Sequence, residues 1–122
     1  MGFIEIDDLE QYYKIIMDKE NCKKLIVSFF TATWCGPCKS IYPVITNIGE
    51  NNEDIFILKV DVDKCEDISE QCGIDCMPTF VFYKNNNIEP CKKFSGADQN
   101  NLINTITELL EETENETVEI VN

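Results

Sequence analysis

Seven consecutive residues from Leu25 to Thr31, LIVSFFT, are almost all apolar, β-branched or aromatic, the pattern of a strand buried on both faces. Ile55-Phe-Ile-Leu-Lys-Val-Asp61 and Thr79-Phe-Val-Phe-Tyr83 repeat it, so three core strands are predicted. Phe3-Ile-Glu-Ile6 alternates like a short strand. Between these runs the period becomes helical. Leu9, Tyr12, Tyr13 and Ile16 share one face of a helix that Asp7 or Asp8 can cap and that runs to about Lys19. A second helix begins within Cys35-Gly-Pro-Cys38, because Pro37 is tolerated only in a first turn. It continues through Ile41, Tyr42, Val44, Ile45 and Ile48, with a kink expected at Pro43. Asp63 is placed to cap a short third helix, about Lys64 to Cys72, which Gly73 can end. Asn85-Asn-Asn87 reads as a turn, followed by an edge strand over Cys91 to Phe94 and a second turn at Ser95-Gly96. The last helix, about Asp98 to Glu112, places Leu102, Ile103, Ile106, Leu109 and Leu110 on one face.

This order, βαβαβαββα, implies an α/β domain: a central mixed sheet flanked by helices on both faces, spanning residues 1–112. Residues 113–122 form an acidic tail expected to fray. No segment approaches the ~18 apolar residues of a membrane span. The start of the chain, MGFIEIDDLE, is acidic where a signal peptide would be basic, so the expected location is cytoplasmic.

Charge narrows the choice of partners. A formal net charge of −13 repels phosphate backbones and anionic lipid, so neither nucleic acid nor a membrane surface is expected. The absence of histidine in the sequence removes Cys/His zinc patterns, His general bases and Ser-His or Cys-His catalysis. Seven cysteines then make sulfur the leading candidate for any chemistry. Their odd number and the reducing cytosol argue against a disulfide framework.

One pair stands apart. A strand that feeds a helix through CGPC puts Cys35 at the helix N-terminus, where unpaired backbone N–H groups and the macrodipole favour its thiolate. Cys38 lies one turn deeper, near enough to bond Cys35 and shielded from outside substrates. The spacing separates an attacking sulfur from a resolving one. A structural zinc site would need a second CxxC, and Cys65, Cys72 and Cys76 are spaced otherwise, so no metal is expected. A staple across two residues closes almost no loop and would stabilise little.

TATWCGPCK and Cys76-Met-Pro-Thr-Phe80 resemble the two hallmarks of the thioredoxin family: the active-site motif, and a cis-proline before a core strand. Val60-Asp-Val-Asp63 and Phe94-Ser-Gly-Ala97 fall in family order, and Cys65, Cys72 and Cys76 resemble the extra cysteines of animal cytosolic members. The resemblance covers about residues 1–110. It implies the thioredoxin fold and reduction of protein disulfides through a redox-active Cys35–Cys38 disulfide, with Cys35 as nucleophile and Cys38 resolving. Gly36 and Pro37 would support the pair. Trp34, Met77, Pro78, Thr79 and Gly96 would form the substrate-docking surface. No bound cofactor is implied; a thioredoxin reductase would supply electrons from NADPH, and substrates would include peroxiredoxins or reductases. The chain would be a monomer, with a disulfide-linked dimer through Cys76 as an option.

One position departs from the family. Its members usually carry a buried aspartate six residues before the first active-site cysteine, where a carboxylate can take the proton of the deeper thiol. Here that residue is Phe29. Ser28 should point to the opposite face, and Lys59 reads as a solvated side chain. Exchange is therefore expected to work but to be slowed, with a redox-attenuated binding module or redox sensor as the alternative. Cys65 and Cys72, ~10.5 Å apart on a helix, can pair only if it unwinds. Cys65, Cys72 and Cys76 divide between two readings, small buried hydrophobes or regulatory thiols.

Overall fold

The computed structural model describes residues 2–121, with side chains described over residues 2–112. Its centre is the strand that the apolar run demanded: β2 (Leu25–Thr31) is buried at every position. On one side β2 pairs in parallel with β3 (Ile55–Asp61), which pairs in parallel with β1 (Phe3–Glu5). On the other side it pairs antiparallel with β4 (Thr79–Tyr83), and β4 with β5 (Lys92–Ser95). The mixed five-stranded sheet therefore runs β1-β3-β2-β4-β5.

Alternation along these strands divides the core into two layers. Val27, Phe29, Ile55, Ile57, Phe80 and Phe82 face α2 (Gly36–Asn51) and α4 (Gln99–Val121), meeting Ile41, Ile45, Leu102, Ile106 and Leu109. Ile26, Phe30, Leu58, Val60, Val81 and Tyr83 face α1 (Leu9–Met17) and α3 (Glu66–Gln71), meeting Tyr12, Ile16 and Ile68. Each layer is sealed by a helix pair, as a sheet apolar on both faces requires.

Several boundaries differ from expectation for local reasons. Asp8 caps α1 by accepting from the Gln11 N–H, but the helix stops at Met17 because Asp18 starts a 3-10 turn over Lys19–Asn21. Asp63 does not cap α3. Cys65 occupies the N-cap position without a side-chain capping bond, so the helix is two residues shorter at its start than predicted. Gly73 ends it at φ 65°. The β4–β5 turn places Asn85 and Asn86 at φ 60° and 56°, a region asparagine tolerates. Ile103, expected in the buried face of α4, is 41% exposed. The helix itself is assigned to Val121, past the expected end at Glu112. The expected fraying of the tail 113–122 lies outside the described side chains.

Candidate active site

The sequence TWCGPC leaves β2 at its carboxyl end and turns into α2, so strand and helix together fix both sulfurs. The Cys35 N–H donates to the Ala32 carbonyl at 3.1 Å, closing the turn. Cys35 is the N-cap of α2, and its Sγ accepts the Cys38 N–H at 3.2 Å. A disulfide joins Cys35 and Cys38, with their Cα atoms 5.3 Å apart. Both are buried, at 5% and 2% exposure. Pro37 lies in the first turn, where the missing N–H costs nothing, and its carbonyl accepts the Ser40 hydroxyl at 2.8 Å.

Beside this pair Trp34 is 65% exposed, and its indole Nε1–H donates to Asp63 Oδ2 at 2.8 Å. Asp63 is thus spent on orienting the indole rather than on capping α3. Beyond its place in Val60-Asp-Val-Asp63, the sequence suggested for Asp63 only a capping role, because a bond between residues 29 apart leaves no local signal. The Met77–Pro78 peptide is cis, and the Pro78 carbonyl accepts the Gly96 N–H at 2.9 Å. Gly96 has φ 108°, which only glycine adopts readily. Met77 packs against the same apolar cluster as both active-site cysteines. Thr79 is a correction. At 1% exposure, with its hydroxyl bonded to the Cys76 carbonyl at 2.7 Å and Ser95 Oγ at 2.8 Å, it offers no side chain to a substrate. It anchors the strand behind Pro78 instead.

Phe29 is fully buried in the layer that holds Cys35 and Cys38. Its ring stacks on Phe80 at 5.5 Å and leans on Tyr42 at 6.3 Å. Ser28 points the other way and bonds the Tyr12 hydroxyl at 2.8 Å, so it cannot replace a carboxylate there. Lys59 is opposite Phe29 in the β2–β3 register and is more than a solvated side chain. Its Nζ lies 5.4 Å above the Tyr42 ring and 3.6 Å from a Glu5 oxygen. A cavity of about 140 Å³ opens beside the deeper sulfur, lined by Cys38, Lys39 and Tyr42 of α2 and by Lys59 and Asp61 of β3, with residues 31–33. Asp61, placed in the sequence only within Val60-Asp-Val-Asp63 and at the end of β3, shares a face with Lys59 by the period of two and stands, by register, opposite Thr31.

The remaining cysteines are free thiols. Cys65 and Cys72 cap opposite ends of α3 and point to different partners: Cys65 Sγ donates to the Ile6 carbonyl at 3.5 Å, and Cys72 Sγ lies 3.7 Å from the Tyr83 hydroxyl. Burial pushes the Cys65 thiol above its ordinary value. Cys76, just before Met77, and Cys22 are exposed. The Cys91 Sγ turns onto the Phe82 carbonyl at 3.4 Å, and burial raises that thiol as well. Among the described residues, no group of three or more His, Cys, Asp or Glu is placed to hold a metal. No described helix is long and apolar enough to cross a membrane.

Comparison with known proteins gives a consistent picture. The thioredoxin family model matches residues 4–108. Thioredoxin from Ovis aries is 44% identical over 88 residues, covering 72% of this chain and 82% of that protein. The Homo sapiens thioredoxin is 45% identical over 87 residues, 71% and 81% of the two chains. Among solved structures, Fasciola hepatica thioredoxin superposes with a TM-score of 0.78 at 36% identity, covering 85% of this chain and 96% of that one. These likenesses do not favour the binding-module alternative. Two sulfurs bonded across one helical turn, in a fold shared with these relatives over most of its length, mean that the chain belongs to the thioredoxin family, thiol–disulfide oxidoreductases that carry no cofactor and work through a redox-active disulfide.

Proposed function

We propose that Cys35 attacks target disulfides and that Cys38 resolves the intermediate. The observation that carries this is the position of Cys35 Sγ at the α2 N-terminus, accepting the Cys38 N–H at 3.2 Å. That bond and the helix dipole stabilise negative charge on this sulfur when the pair is reduced. The Cys35 thiolate displaces one sulfur of a substrate disulfide, which leaves as a thiolate and takes up a proton. Cys38 then loses its own proton, attacks Cys35 Sγ and expels the second substrate sulfur. Two electrons pass to the substrate, and the Cys35–Cys38 disulfide forms.

Phe29 supports a slowed second step. No carboxylate stands at that buried position, so Cys38 gives up its proton without the acceptor most relatives have. Trp34, Met77, Pro78 and Gly96 form the docking surface, with Gly36 leaving open space beside the sulfurs: a Cβ there would meet nothing within 4 Å. Family membership implies disulfide substrates and recycling by a thioredoxin reductase. We assign peroxiredoxins or reductases as the substrates, NADPH as the indirect electron source, the cytoplasm as the location, and a monomer that exposed Cys76 can link into a dimer.

Reduction of insulin by the chain with dithiothreitol tests the reading. Native protein should accelerate precipitation of the insulin B chain, and Cys35→Ser should abolish the effect. An unchanged rate in Cys35→Ser would overturn the assignment.

A further inference from the structure

The cavity beside Cys38 suggests where the missing proton acceptor has gone. On β3, Lys59 and Asp61 follow Ile55 and Ile57 at a spacing of two, so all four face α2. In the register, Lys59 stands opposite Phe29 and Asp61 opposite Thr31. The carboxylate is therefore one step nearer the strand's carboxyl end than the position Phe29 fills, at the end of the sheet where β2 leads into the cysteine pair. The cavity of about 140 Å³ is lined by both Cys38 and Asp61. That space has room for several waters, since each occupies ~30 Å³ in the liquid. Asp61 is half-buried, and one of its oxygens accepts the Asp63 N–H at 2.9 Å, which fixes the carboxylate in place.

Resting on the Cys35–Cys38 assignment above, the geometry points to Asp61 as the acceptor of the Cys38 proton, reached through water in this cavity. In the mixed disulfide, the proton on Cys38 Sγ passes by way of water to the Asp61 carboxylate. The Cys38 thiolate attacks Cys35 Sγ, the bond from Cys35 to the substrate sulfur breaks, and that sulfur leaves as a thiolate. Asp61 then releases its proton to solvent. No outside oxidant or reductant is needed. The charged and titratable groups facing this path are Lys39 and Tyr42 from α2 and Lys59 from β3, with Cys35 at the helix start. Lys59, between Glu5 and the Tyr42 ring, adds a positive charge to the lining of the same cavity. Asp63 is tied to Trp34 and lies outside the path.

The relay makes a pH-dependent claim. At neutral pH a buried thiol needs a nearby acceptor for its proton, whereas at high pH abundant hydroxide can take that proton directly. The test uses a peptide dimer joined by one disulfide and self-quenched by dyes at both ends, mixed in stopped flow with reduced full-length chain. Cys35 attack releases the first peptide, and Cys38 attack the second. Asp61→Asn keeps an oxygen for the Asp63 N–H, and Asp61→Glu keeps the carboxylate. In Asp61→Asn the first release should match native protein, while the second slows about tenfold at pH 6.5, a modest share of what a positioned base contributes. The deficit should shrink as pH rises to 9.5, where hydroxide competes with the carboxylate for the proton, and Asp61→Glu should recover most of the loss. A second release that is unchanged, or slowed equally at every pH, would overturn the relay while leaving the reductase reading intact. Failure of the native chain to release either peptide would instead overturn that reading.

Discussion

At position 29 a phenyl ring stacked on Phe80 and leaning on Tyr42 fills a site where a carboxylate would be wholly enclosed. An acid there is costly to bury, and the ring contributes packing in exchange for chemistry. Phe29→Asp should lower stability to urea by about 3 kcal/mol or more, since it removes a buried aromatic and buries a polar group. The sign of its pH dependence follows from burial. Desolvation raises the new carboxyl's value in the folded state, so its protonated form is favoured there, and stability falls as pH rises from 5 to 7. Equal midpoints at the two pH values would contradict this. Trp34 presents the opposite case. Its ring is 65% exposed and its indole N–H bonds Asp63, so Trp34→Phe should change stability by less than ~1 kcal/mol, about the value of one hydrogen bond, while slowing insulin reduction severalfold.

Elements are positioned by contacts that pattern alone does not disclose. Gly49 in α2 lies against β1: a Cβ there would stand 2.8 Å from the Gly2 carbonyl oxygen and 2.8 Å from Ile57 Cγ1. Gly49→Ala should therefore push β1 from its place beside α2 and cost roughly 1–3 kcal/mol, the usual range for overpacking, read as a lowered melting temperature. The core strands were legible because a residue run apolar on both faces has few other uses; Leu25–Thr31, Ile55–Asp61 and Thr79–Tyr83 all appear where the pattern places them. The cysteine pair was legible for the same local reason, since CGPC carries its geometry within one turn. What escaped was non-local. Asp63 looked like a cap until its oxygen was seen to hold an indole from another loop, and Asp61 acquired a role only once β3 was in register with β2. The cysteines of α3 and the β4–β5 loop follow their surroundings too. Iodoacetamide should modify exposed Cys22 and Cys76 quickly, and buried Cys65, whose thiol burial raises, at least several-fold more slowly at pH 7.5. Mass spectrometry of quenched samples gives the order, and fast modification of Cys65 would contradict the packing described.

Across the whole molecule, the sheet keeps two different environments apart. One face carries the disulfide and its cavity; the other buries Tyr12, whose hydroxyl bonds Tyr83 and Ser28 at 2.8 Å each. Desolvation holds both phenols above the ordinary value near 10, and burial does the same for Cys65. In each group the neutral, protonated form is favoured by folding. The stability they contribute is present below their ordinary values and lost as pH rises through the folded ones. Unfolding free energies from urea titration should hold steady from pH 7 to about 8.5 and then fall, by ~1 kcal/mol or more per unit above pH 10; a flat profile to pH 11 would contradict the buried phenol pair. On the other face, the central claim is that this chain runs dithiol exchange with Phe29 in place of the acid, at a cost to the second step alone. The most direct measurement is that step, read as release of the second peptide from the disulfide-linked dimer at pH 7, in native chain and in Phe29→Asp. Equal first release and a second release at least ~10-fold faster are expected in Phe29→Asp, as an added base beside the deeper thiol would give. A second release no faster than native, in a variant whose first release is intact, would contradict the central claim.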